Sequence, residues 1–209
     1  MNSPALVPPS VRAVVTVSLG RFGAHRAELH TFTGLPDDGE HIALRFPAPP
    51  GSRDAPLVRV HSECLTGDVF GSARCDCGPQ LEEAVERLAE SGGVLLYLRQ
   101  EGRGIGLYNK IDAYVLQDQG CDTYEANRLL GKAPDARNYR VAAAMLGVLG
   151  VSRIRLLTNN PEKVRQLRRY GVEVAEVVST GVYLTDDNVR YLRAKVQRAQ
   201  HSLALDPGV

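Results

Sequence analysis

No hydrophobic run in this 209-residue chain approaches the roughly 18 residues of a membrane-crossing helix, so nothing in it predicts a bilayer span. An excess of one charge is lacking too. With 25 basic and 24 acidic residues the formal net charge is +1, which gives no reason to expect a nucleic acid or a membrane surface as partner. The opening MNSPALVPPS has no basic start followed by an apolar core, so it does not read as a secretory signal. Residues 1–11 read instead as a flexible tail. There is no internal repeat and no low-complexity segment. Cysteine is scarce, at four residues, and a cytoplasmic setting that keeps thiols reduced is the expectation. The length suits one sizeable core.

The few cysteines are not scattered. Cys64, Cys75 and Cys77 fall within the stretch RVHSECLTGDVFGSARCDCGPQ (59–80), and only Asp76 separates the last two. One intervening residue suits a shared cation better than an intrachain bridge, whose geometry is demanding. Three sulfurs without an obvious fourth ligand match an open, catalytic zinc site rather than a closed structural one. Two plainer readings stand beside this: buried cysteines serve as small apolar residues, and His61 is either a fourth ligand or one face of a strand. Cys121 stands alone in QDQGCDT and reads as a lone thiol. His25, His30, His41 and His201 have no partner by spacing and read as structural or surface residues.

The fold class expected is mixed α/β (α+β), one compact domain with antiparallel strands first and alternating helices and strands after. From Arg12 to Glu63 the runs RAVVTVSLG, HRAELHTFTG, EHIALRFP and LVRVHSE alternate or are β-branched, punctuated by Gly, Pro and Asp-Gly. This front half is expected to be antiparallel. Past Cys77, Pro79 fits a first helical position, and Leu81, Ala84, Val85, Leu88 and Ala89 recur at helical spacing up to Gly92-Gly93. Strands follow at 94–99, 154–158 and 172–178. Helices are expected along the stripe Leu107, Ile111, Tyr114, Val115, over 122–131, along Val141–Leu149, from Asn160-Pro161, and from 186 to 203.

Two strand-to-helix junctions admit a phosphate reading. QEGRGIG (100–106) offers three glycines for close backbone approach and Arg103 as a charged fork, or else glycines that merely make a tight turn. TNNPEK (158–163) presents a helix N-terminus with Thr158 and Lys163 nearby, or else an ordinary cap. Tyr114 on its apolar stripe reads as packing, and Asp135 with Arg137 as an exposed ion pair of little worth.

RVHSECLTGDVFGSARCDCGPQLE, LRQEGRGIGLYNKIDAYVLQDQGCDTYEAN and LLTNNPEKVRQL closely resemble the GTP cyclohydrolase II family, which opens riboflavin synthesis. The resemblance covers about Leu57 to Val178 and implies a catalytic domain over 12–203, a tail at 204–209, and the monofunctional form. It implies zinc-dependent hydrolysis of GTP to a diaminopyrimidinone ribosyl phosphate with release of formate and pyrophosphate. Carried over by position, Cys64, Cys75 and Cys77 hold one zinc per subunit. Arg59, Val60, His61, Ser62 and Glu63 run beside the nucleotide, and Gln80 sits where the base is read. Glu101, Gly102, Arg103, Thr123, Thr158 and Lys163 are further GTP contacts, and Mg²⁺ accompanies the triphosphate. Asp135 and Arg137 correspond to a proton acceptor and a nucleophile toward the α-phosphorus; the alternative is that Arg137 only stabilises phosphoryl charge while water attacks. Tyr114 implies hydrolysis through to formate. Gly104 and Tyr108 depart from the family pattern without touching a proposed ligand. The resemblance also implies a homodimer. Two other readings stay open: a paralogue that stops at the N-formyl product, and a zinc-stabilised nucleotide-binding module without turnover.

Overall fold

The computed structural model describes residues 7–20, 23–52, 55–133, 135–185 and 188; the side chains of Thr123 and Tyr124 lie outside it, as does the helix expected over 186–203. Among the described residues seven strands form one sheet: β1 (Ser10–Leu19), β2 (His25–Thr33), β3 (Ile42–Phe46), β4 (Leu57–Ser62), β5 (Gly93–Leu98), β6 (Arg153–Leu157) and β7 (Glu173–Val178). Their spatial order is β1-β2-β3-β5-β4-β6-β7.

The strands β1, β2 and β3 are antiparallel neighbours, as the alternating front half predicts, and β3 lies antiparallel on β5. The expectation fails at LVRVHSE. β4 pairs parallel with both β5 and β6, and β6 pairs parallel with β7. The physical reason is burial on both faces. β4 and β5 are covered by helices on either side, as central parallel strands are, so β4 belongs with the helical half of the chain. The antiparallel pairs are those of β1 with β2, β2 with β3 and β3 with β5.

The helices are α1 (Leu65–Asp68), α2 (Cys77–Ser91), α3 (Leu107–Asp118), α4 (Thr123–Leu129), α5 (Arg140–Val148) and α6 (Pro161–Arg169). α2 begins two residues before Pro79, which places Cys77 in its first turn. Alternation along the strands splits the core in two. Val58, Val60, Val94, Leu96 and Leu98 face Val141, Met145, Leu146 and Leu167 of α5 and α6. On the other face Leu44, Phe46, Leu57 and Leu95 meet Ala84 and Leu88 of α2. Arg59 and His61 point to this second side of β4, toward α2 and α1.

The chain leaves β4 for α2 on one face and leaves β5 for α5 on the other. Such divergence opens a crevice at the carboxyl ends of parallel strands, where open α/β sheets place their ligands. One expected stripe is corrected: Ile111 and Val115 of α3 are exposed, at 40% and 53%, and Ala113 is the residue that α3 buries. α3 packs on α4 and the Glu101 loop rather than on the sheet, so its buried side is set by those loops. Leu88 is fully buried at the centre of the α2 face. Leu88→Ala is expected to lower unfolding free energy by about 2–5 kcal/mol in urea titrations.

Candidate metal and nucleotide site

The ends of β4, β5 and β6 deliver their following residues to one cleft of about 210 Å³. It is lined by Arg59, His61, Ser62, Glu63, Cys64, Cys75, Cys77, Gln80, Glu101, Gly102, Arg103, Tyr114, Asp135, Arg137, Thr158 and Lys163, all singled out from sequence. Val60 does not join them. Its side chain is in the core, although its carbonyl accepts a hydrogen bond from Lys163 Nζ at 2.6 Å. Thr123 opens α4, with its side chain outside the description.

The three thiols converge. Their sulfurs all lie within 4.8 Å of one another, with Cys64 and Cys75 3.6 Å apart, and none is in a disulfide. Cys64 precedes α1 shortly after β4, while Cys75 comes from the loop that enters α2 and Cys77 from the first turn of that helix. Gly67 makes the approach feasible. A Cβ there would stand 2.8 Å from Cys75 Sγ and 3.2 Å from Cys64 Sγ. Hydrogen bonds from Cys75 and Cys77 hold Cys64 well below the usual thiol range, the bond with Cys64 pushes Cys75 up to about 11, and bonds with both other thiols raise Cys77 well above that range. Three thiols packed this tightly share one negative charge, and ionising all of them needs a cation. The donor set therefore fits zinc. Among the described residues no His, Asp or Glu joins the group as a fourth ligand.

His61 is accounted for otherwise. Its Nε2 lies 3.1 and 3.2 Å from the two carboxylate oxygens of buried Asp68, and its ring stacks on Tyr97. Asp68 also accepts from Tyr97 Oη at 2.8 Å and from the Cys64 backbone N–H at 3.0 Å. Asp68 thus fixes the first cysteine through its backbone. Burial lowers the His61 pKa, which the hydrogen bond to Asp68 only partly offsets.

The glycine loop is wound tightly. Gly102 and Arg103 both take left-handed backbone, with φ of 60° and 61°, in the 3-10 turn Glu101–Gly104. For arginine that conformation costs roughly 1 kcal/mol. The Arg103 carbonyl accepts from Ala136 N–H, which ties this loop to the Asp135–Arg137 loop. Asp135 grips Arg137 through Nε at 2.9 Å and Nη2 at 2.5 Å. Burial alone would raise the Asp135 carboxyl, but the pairing with Arg137 outweighs it and lowers the pKa. At the third junction Asn160 caps α6 by accepting from Glu162 N–H, and Thr158 Oγ1 accepts from Asn160 N–H.

Several site residues escaped the sequence reading. Lys110 Nζ sits 3.1 Å from Cys64 Sγ and 2.9 Å from Glu101 Oε1. Burial would lower the ammonium's pKa, but Cys64 and Glu101 together raise it. The guanidinium carbon of Arg74 stands 5.0 Å over the Tyr114 ring, and burial pushes that phenol up to about 12. Asn159 and Thr180 bond reciprocally and hold the chain after β7 against the cleft. Lys110 and Tyr114 are four apart on α3, a spacing that could have flagged the lysine. Asp68 and Thr180 gave no such signal. Among the described residues six basic side chains (Arg59, Arg74, Arg103, Lys110, Arg137, Lys163) and four carboxylates (Glu63, Asp76, Glu101, Asp135) line the cleft. That excess suits a polyanionic ligand.

Comparison with known proteins gives this site its family. The model of the family described as GTP cyclohydrolase II matches residues 12–179. The chain belongs to the GTP cyclohydrolase II family. It is 58% identical over 193 residues to a Vibrio parahaemolyticus protein named GTP cyclohydrolase-2, covering 92% of this chain and 98% of that one. A Vibrio cholerae protein of the same name is 56% identical over 195 residues, covering 93% and 98%. Against the Bacillus subtilis riboflavin biosynthesis protein RibBA the identity is 48% over 203 residues, with 97% of this chain matching 50% of that longer protein.

Two measurements check the geometry. Gly67→Ala is expected to spread the sulfurs and weaken metal retention by at least about 10-fold in chelator competition. Because His61 is depressed from its ordinary 6.5, its contribution to stability is complete above that value and is lost as pH falls below it. Urea midpoints are expected to drop between about pH 7.5 and about pH 5.5, less steeply in His61→Gln than in the wild type.

Proposed function

We propose that this chain hydrolyses GTP to the diaminopyrimidinone ribosyl phosphate, releasing formate and pyrophosphate, as the first step of riboflavin synthesis. The observation that carries the reading is the placement of a three-sulfur cluster and an Asp135–Arg137 pair in one basic cleft. Ring opening and phosphoanhydride cleavage need different chemistry, and the cleft holds a distinct group of residues suited to each.

Cys64, Cys75 and Cys77 would hold the zinc, which when bound supplies Lewis acidity for adding water at the imidazole carbon. The chain's own residues do the rest. Gln80, which accepts from Arg59 Nη2 and donates to Asp76, would read the base from that fixed orientation. Lys163, Arg103 and the capped N-terminus of α6 line the cleft and would meet the phosphates. Mg²⁺ accompanies the triphosphate as its counterion rather than in a protein cage. The Asp135–Arg137 pair is that of an ionised carboxylate and a protonated guanidinium. This favours Arg137 as the stabiliser of charge on the α-phosphoryl group over Arg137 as a nucleophile, which would have to shed a proton. Tyr114, kept protonated, offers a donor beside the cysteines for hydrolysis of the formyl group. The protein works as a homodimer in this reading.

Incubating the purified protein with GTP and Mg²⁺ is expected to yield both formate and pyrophosphate. Pyrophosphate alone would favour the N-formyl product, and neither product would leave a binding module. In Cys75→Ser, zinc and formate release are expected to be lost while pyrophosphate release survives. Retained zinc and undiminished formate would refute the ligand assignment.

A further inference from the structure

Lys110 lies in the first turn of α3 with its side chain only 11% exposed, an unusual position for a lysine unless its charge is used. Its ammonium is held from two sides. Glu101 Oε1 stands at 2.9 Å and Cys64 Sγ at 3.1 Å, within hydrogen-bonding reach of sulfur. Glu101 cannot swing away, because its Oε2 accepts from Leu65 N–H at 2.6 Å and its Oε1 from Gly102 N–H at 2.7 Å. The carboxylate thus sets the lysine, and the lysine reaches one particular sulfur.

Three thiolates around a divalent cation carry a net charge of −1, which opposes the Lewis acidity that activating water requires. A charged N–H donor on one sulfur stabilises its lone pairs and weakens their donation to the metal. We infer that Lys110 is a positioning residue of the metal site: it donates to Cys64 Sγ, with Glu101 as its anchor, and keeps the bound cation electron-poor. This rests on the zinc reading proposed above. The competing assignment is a lysine that merely neutralises Glu101.

The test uses the full chain with Co²⁺ in place of zinc, and reads the sulfur-to-cobalt charge-transfer band. The wild type is expected to show the band. Its absence there would defeat the zinc reading itself. Lys110→Met keeps the length of the side chain and removes the donor. In it the band is expected to move to lower energy while Co²⁺ stoichiometry is retained, and formate release by the zinc form to fall about 10–100-fold. Lys110→Arg, which keeps a charged donor, is expected to return the band toward its wild-type position. A band that stays in place in Lys110→Met, with the wild-type band present, overturns the inference and leaves the zinc reading intact. If circular dichroism shows that the unpaired Glu101 carboxylate unfolds this variant, Lys110→Met with Glu101→Gln removes both charges and reads the same band. A shift supports the role, and an unmoved band overturns it.

Discussion

The convergence of Cys64, Cys75 and Cys77 is the constraint on which the rest of the site depends. Thiols crowd together at a cost unless a cation or hydrogen bonds hold them, and here the surrounding chain holds them. Gly67 leaves the space that any Cβ would fill, Asp68 fixes the Cys64 backbone, and Glu101 fixes the next N–H along. None of these contacts is local to the Cys75–Cys77 pair. They come from α1 and from the loop after β5, so the cluster is held in part by the pairing of β4 with β5.

Sheet topology explains why that cluster lies beside the Glu101–Gly104 turn, Thr158 and the N-terminus of α6. β4, β5 and β6 are parallel, and their carboxyl ends are adjacent. β4 supplies the first cysteine, β5 supplies the wound Glu101–Gly104 turn, and β6 supplies Thr158 and the α6 N-terminus. Each is a short connection from a rigid strand, which places side chains more narrowly than a long loop would. The Asp135–Arg137 loop is held in turn by the bond from Ala136 N–H to the Arg103 carbonyl. The cysteine cluster and the Asp135–Arg137 pair are therefore fixed to one framework.

Much of this was legible from local pattern. The cysteine spacing, the Gly-rich turn, the Asn160-Pro161 helix start and the alternating front strands each depend on neighbours in sequence, and each is found where expected. The parallel pairing of β4 was not legible, because alternation in LVRVHSE says which residues share a face and nothing about strand direction. Ile111 and Val115 keep helical spacing, but which side of α3 is covered depends on α4 and the Glu101 loop. Asp68, Lys110 and Thr180 act through partners 4 to 97 residues away, and most such pairings exist only in the folded chain. His61 shows the limit well. As a residue type it was a fair fourth ligand, yet the fold turns its Nε2 to Asp68.

X-ray absorption at the zinc edge on purified native protein bears most directly on this account. The expected result is zinc in stoichiometric amount, coordinated by three sulfurs and one lighter atom supplied by solvent or substrate. Material without zinc, or zinc enclosed by four sulfurs, would contradict it.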